Sequence, residues 1–237
     1  MSVLKFTQPA GYYNLQSFYD FLIANKAGTF LENAVLTKDS ESTYVAENNH
    51  FISFNIGDGT VTIRTAKDVD DRYPLVSFTI QSGVSAGITR DMSSGSYKYF
   101  MLNSALLCSN GLIMKIAFVP GSGSDTTYSY LVLGVDSGGS IALIRPNGAN
   151  DYNMRTEQTY YVAASYDSST LIKLAAIPQY NSDLTSLAPV TLLSDDNTRY
   201  VEGAFIASST QLPTKDLQIV SNDGALYITN GIIYIKD

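Results

Sequence analysis

Few side chains in this sequence could carry general chemistry. The chain has one histidine, His50, and one cysteine, Cys108. His50 is the only group whose ordinary proton affinity suits acid–base work near neutral pH, so a serine or cysteine triad would have to use it. It stands beside Asn48 and Asn49 at the head of an alternating run, and no Gly-x-Ser-x-Gly elbow supplies a nucleophile. Cys108 follows Leu106 and Leu107, a setting that suits a buried thiol acting as a small hydrophobe. One Cys and one His fall short of a zinc site. No catalytic residue, cofactor site or metal site is therefore assigned.

Carboxylate pairs could act as acid and base across a sugar, as in glycoside hydrolysis. The candidates are Asp68, Asp70 and Asp71, and the adjacent Asp195 and Asp196. Both clusters read as turns, because Asp and Asn between strands hydrogen-bond their own backbone. Arg72 and Arg199 are expected to neutralise these neighbours. Asp68-Val69-Asp70-Asp71 lacks the mid-loop Gly and final Glu of an EF-hand. Gly121-Ser122-Gly123 and Gly138-Gly139 are not followed by Gly-Lys-Ser/Thr or by a helix, so they read as turn glycines rather than phosphate loops. Seventeen tyrosines without a tryptophan suit either sheet packing or exposed contact area. Gln179-Tyr180-Asn181 is the loop where Tyr180 and Asn181 would meet a glycan or receptor.

Charge narrows the partners. Fifteen Lys and Arg against 22 Asp and Glu give a net charge of −7, which argues against a surface that neutralises nucleic-acid phosphates. Only 16% of residues are charged, so much of the surface is expected to be neutral hydrogen-bonding groups. No apolar run approaches the roughly 18 residues of a membrane helix. Residues 1–9 lack the basic start and apolar stretch of a secretory signal, so synthesis in the cytoplasm is expected.

These residues must be positioned by a predominantly β framework. The one helical pattern covers residues 14–26, with Asn14 as a cap, Gly28 as a stop, and Leu15, Phe18, Tyr19 and Leu22 on one apolar face. That face either docks on the sheet or contacts a partner. Beyond Thr37 the pattern has period two, with turn residues between short β-branched and aromatic runs. Strands are predicted over 75–80, 97–101, 112–119, 127–135, 140–145, 159–166, 171–177, 190–194 and 199–207. A hairpin is predicted about Gly57-Asp58-Gly59. A meander closes the sequence, with Asn222-Asp223-Gly224 and Asn230-Gly231 as its turns. The fold class is all-β, an antiparallel sandwich, jelly-roll-like or barrel, with one short N-terminal α-helix. Residues 1–36 form an extension and helix. Residues 37–237 form the β domain, either single or divided near 146–151.

Two stretches carry a resemblance. Leu187-Ala188-Pro189-Val190-Thr191-Leu192-Leu193 through Tyr200-Val201-Glu202-Gly203-Ala204-Phe205, and Gly224-Ala225-Leu226-Tyr227-Ile228-Thr229-Asn230-Gly231-Ile232-Ile233-Tyr234, make the last quarter resemble virion structural proteins of tailed bacteriophages. The likeness is to accessory β-sandwich proteins of capsid surface, tail or baseplate, and no functional residue transfers with it. It implies a non-enzymatic virion component, multi-copy or homo-oligomeric, whose partners are other virion proteins. A cysteine-poor acidic β protein that folds alone and then docks on a symmetric assembly fits the same class. The alternatives are a carbohydrate- or receptor-binding module with a cell-surface glycan as partner, and a glycoside hydrolase or esterase of unrecognised pattern.

Overall fold

The computed structural model describes residues 3–8, 15–32, 35–37, 50–55, 60–65, 73–79, 89–90, 97–120, 127–138, 141–146, 161–165, 172–174, 187–193, 198–207 and 216–237. The first elements are β1 (Leu4–Thr7), α1 (Leu15–Ala24) and β2 (Val35–Thr37), followed by β3 (His50–Asn55), β4 (Thr60–Thr65) and β5 (Tyr73–Thr79). Next come β6 (Thr89–Arg90), β7 (Tyr97–Leu107), β8 (Gly111–Pro120), β9 (Thr127–Val135), β10 (Ile141–Pro146), β11 (Tyr161–Ser165) and β12 (Ile172–Leu174). The last are β13 (Leu187–Leu193), β14 (Thr198–Ala207), β15 (Gln218–Asn222), β16 (Ala225–Thr229) and β17 (Ile233–Lys236). The chain is mostly β, as its period-two patterning predicts, with α1 the one helix among the described residues.

Two antiparallel sheets form the body. An eight-stranded sheet runs β1-β7-β8-β9-β10-β11-β12, with β6 also on β7, and a five-stranded sheet runs β13-β14-β17-β16-β15. Both are open paths, so among the described strands neither closes into a barrel. A third sheet, β2-β3-β4-β5, has one parallel pair, β2 with β3. It contains the predicted hairpin, as Asn55 pairs with Thr60.

Both faces of the large sheet are covered. Leu102, Leu107, Leu112, Met114 and Leu133 face a cluster with Phe18 and Leu22 of α1. Leu106, Ile113, Val132 and Ile144 face another with Val201, Ile228 and Ile235 of the small sheet. Sheet faces sheet as in a sandwich, with the helix as a third layer. Two-sided burial explains why the Leu112 to Ile116 run is apolar on both parities, interrupted only by Lys115.

The N-terminal region belongs to this body. β1 pairs with β7, Leu4 opposite Leu107 and Thr7 opposite Ser104, so residues 1–36 supply a strand as well as the helix. Phe6 on β1 meets Phe18 and Phe21 on α1 at ring separations of 5.2 and 5.4 Å. The helix stops at Ala24, before Gly28, because Asn25 closes it: the Asn25 backbone and side-chain N–H groups both donate to Phe21 O. Gly28, at φ 72°, then turns the chain so that Phe30 and Leu31 enter the same cluster.

Three departures from the sequence pattern have local causes. β7 continues to Leu107 instead of ending near 101, because a register shift between Leu102 and Ser104 returns Ala105 to the face of Leu102. Strict alternation cannot show a strand through a bulge. β13 starts at Leu187, ahead of the expected 190, and holds Pro189 on an edge where no ladder N–H is required. In the meander, Asp223 and Gly224 have φ of 49° and 78°, as a type I′ turn requires. Asn230-Gly231 does not form the matching turn, since of the two only Gly231 has positive φ. Asn230 is buried instead, and its Oδ1 accepts from the N–H groups of Ile232 and Ile233. Residues 147–151 lie outside the described ones, but β10 and β11 on either side pair directly, Pro146 opposite Tyr161.

Leu22 is fully buried between α1 and the large sheet. Leu22→Ala is expected to destabilise the chain by about 2–5 kcal/mol in urea unfolding, whereas Ile23→Ala, on the exposed side, should change stability by less than about 1 kcal/mol.

Candidate functional site

The two buried charged side chains among the described residues, Asp136 and Lys115, lie at two places where layers meet. At the first, β9 runs past its last residue into Asp136, which is buried and forms an isolated bridge with Val201 of β14. Its Oδ1 accepts the Gly138 N–H at 2.8 Å, and the Arg199 guanidinium approaches Oδ2 at 3.4 Å. Ser137 N–H donates to Tyr200 O, and Tyr200 N–H donates to Ser137 Oγ. Small residues make this approach possible. A Cβ on Gly138 would meet the Arg199 guanidinium, one on Gly134 would lie 2.8 Å from Val201, and one on Gly203 (φ 66°) would lie 2.9 Å from Asn110. Asn110 Nδ2 donates to Lys236 O at 2.8 Å, and Ser109 N–H to Asp237 Oδ1 at 3.1 Å. The turn between β7 and β8 is thereby fixed to the far end of β17.

At the second place, Lys115 of β8 points toward the small sheet from the parity of Ile113. Its side chain is 4% exposed, yet Nζ reaches Asp216, 86% exposed, with a 2.7 Å ion pair. Nζ also lies 4.0 Å over the Tyr128 ring. The side chain, ammonium included, is nearly all covered and meets the exposed Asp216 at the margin. The hydrogen bond from Lys115, reinforced by its charge, holds the Asp216 carboxyl below its ordinary range. A lowered folded-state pKa means that this contribution is present above the ordinary carboxylate pKa and disappears as pH falls through the folded-state value.

The thiol of Cys108 is buried, and its S–H lies 3.8 Å from Lys236 O. Burial pushes its pKa up to about 11, so little thiolate is present at neutral pH. That environment suits the packing reading of Cys108.

Of the residues singled out as contacts, Phe18 and Leu22 lie fully buried in the chain's own core. Tyr19 is half-buried, and its hydroxyl donates to Leu36 O at 3.3 Å. The apolar helix face is thus docked on the sheet, and the backbone of Leu15 opens that helix. Tyr180, Asn181, Asp68, Asp70, Asp71, Asp195 and Asp196 lie outside the described residues. His50 opens β3 opposite Thr65. Arg199, expected to neutralise nearby carboxylates, is engaged with Asp136, 63 positions away. Sequence reasoning missed Asp136 and Lys115. For Lys115 a signal existed, a single cation inside an apolar strand, but its partner lies 101 positions away. Among the described residues no three His, Cys, Asp or Glu side chains gather as a metal site, and no helix is long and apolar enough to cross a membrane.

No family model matches the chain, and no curated protein or solved structure matches it either.

Two outcomes are expected. Asp136→Ala removes the carboxylate that accepts from the Gly138 N–H and the partly buried Arg199 and should destabilise the fold by about 1–3 kcal/mol in chemical denaturation. Iodoacetamide at pH 7.5 should leave Cys108 unmodified in the folded chain and alkylate it once the chain is unfolded, as read by intact mass.

Proposed function

We propose that the chain is a non-enzymatic structural component of a phage-like virion, carried in multiple copies on a symmetric assembly at the capsid surface, collar, tail or baseplate. The observation that supports this reading is how polar and apolar groups are distributed. Asp136 with Arg199 and Lys115 with Asp216 act as clasps between layers. Large apolar side chains stand outside, with Ile23 on α1, Tyr200 on β14, Ile219 on β15 and Leu226 on β16 all exposed. A sandwich whose layers are clasped by ion pairs and that carries exposed apolar side chains on α1, β14, β15 and β16 is suited to docking. Its neighbours would be other virion proteins, and nucleic acid is a poor partner for a chain of net charge −7.

Density-gradient banding of particles from cells expressing the full gene cluster tests the reading. The chain is expected to band with the virions at a fixed ratio to the main shell protein and to stay bound through a second gradient. A chain left wholly in the soluble fraction would overturn it.

A further inference from the structure

Among the described strands, the two edges of the five-stranded sheet are built differently. On β13, Pro189 offers no N–H and the ladder is irregular between Pro189 and Thr191. Both features blunt an edge against further pairing. The opposite edge, β15, reads Gln218-Ile219-Val220-Ser221-Asn222, without proline or charge, and pairs regularly with β16 throughout. Gln218, Ile219 and Ser221 are exposed, Ile219 at 48%, and Leu226 beside them at 40%.

Hairpin geometry sets which main-chain groups face outward. Asn222 and Ala225 flank the two-residue turn and form the first hydrogen-bonded pair, so Val220 with Tyr227 and Gln218 with Thr229 follow. Ile219 and Ser221 then direct their N–H and C=O groups away from β16. The same alternation turns Leu226 O toward β17, where it accepts the Asp237 N–H at 2.8 Å.

We propose that a second copy of this chain occupies the β15 edge, the two β15 strands pairing antiparallel about a twofold axis at Val220. This goes beyond the virion reading and does not depend on it. The strand is its own complement. Ile219 falls opposite Ser221 of the second copy, and the two such pairs exchange roughly four main-chain hydrogen bonds. Gln218 falls opposite Asn222. The two Ile219 side chains become diagonal neighbours on the face that carries Leu226, so each covers apolar surface left exposed in the single copy. Charge permits this pairing: the chain carries −7 overall, but the five paired residues carry none, and Asp216 just before them is engaged by Lys115. The seam is short compared with standard interfaces of about 1,600 Å², so the dimer is concentration-dependent. It tightens as salt screens the repulsion between the two acidic bodies.

Cross-linking of the full chain tests the register. At the twofold axis the two residues 220 form a non-hydrogen-bonded pair with Cα atoms about 4.5 Å apart, within reach of a disulfide. Val220→Cys is expected to give a covalent dimer under mild oxidation, whereas Gln218→Cys, which faces Asn222, should not; the buried Cys108 stays silent in both. In sedimentation, Ser221→Pro removes an outward N–H without touching the β16 ladder. It should weaken the dimer by about tenfold or more while circular dichroism stays native. A native chain that remains monomeric at every concentration overturns the proposal. So does a Val220→Cys chain that fails to cross-link, a Gln218→Cys chain that cross-links equally well, or a folded Ser221→Pro chain that dimerises normally. None of these measurements reads particle association, so the two proposals can fail separately.

Discussion

Burial of the eight-stranded sheet on both faces is the constraint from which the other features follow. A strand covered on one side needs apolar residues at every second position, but β7, β8 and β9 need them at nearly all. Leu112 and Met114 serve the helix layer while Ile113 between them serves the small sheet. Neither outer layer has a comparable interior of its own. α1 is ten residues long, too short to persist alone in water. On the small sheet, Tyr200 of β14 stays exposed.

Where a core has two faces, charge can enter only at its margins. Lys115 illustrates the rule, since its nearly covered side chain meets the exposed Asp216 at the edge. Asp136 sits deeper and is correspondingly better supported, by a backbone N–H and a guanidinium. Each pair ties the large sheet to the C-terminal strands. Losing one partner therefore loosens the registry between layers.

The legible part of the fold was its local part. Period-two patterning located the strands, and Asp223-Gly224 declared its turn, because both depend on neighbours in sequence. The hidden part was non-local. Nothing near Leu4 announces that β1 will lie along β7, and nothing near Arg199 points to Asp136 rather than to Asp195 or Asp196. Asn230 misled for another reason: a buried Asn that accepts two backbone N–H groups looks, in sequence, like the Asn of a type I′ turn. For the helix face, spacing specified which residues share a side, but not whether that side meets the chain's own sheet or another molecule. Only the placement of Phe18 and Leu22 against Leu102 and Leu107 decides it.

The pairing of β1 with β7 also sets an order of events during synthesis. Phe6, Phe18 and Leu22 leave the ribosome well before the strand on which they pack. At about 5–20 residues per second, the roughly hundred intervening positions take on the order of 5–20 s to make. Throughout that interval the aromatic strip of β1 and α1 has no sheet to cover it, whereas the β7–β8 and β8–β9 hairpins can zip as soon as they emerge. The β1 and α1 segment therefore waits for a sheet made roughly a hundred residues later, and the nascent protein is most vulnerable to self-association before β8 is complete.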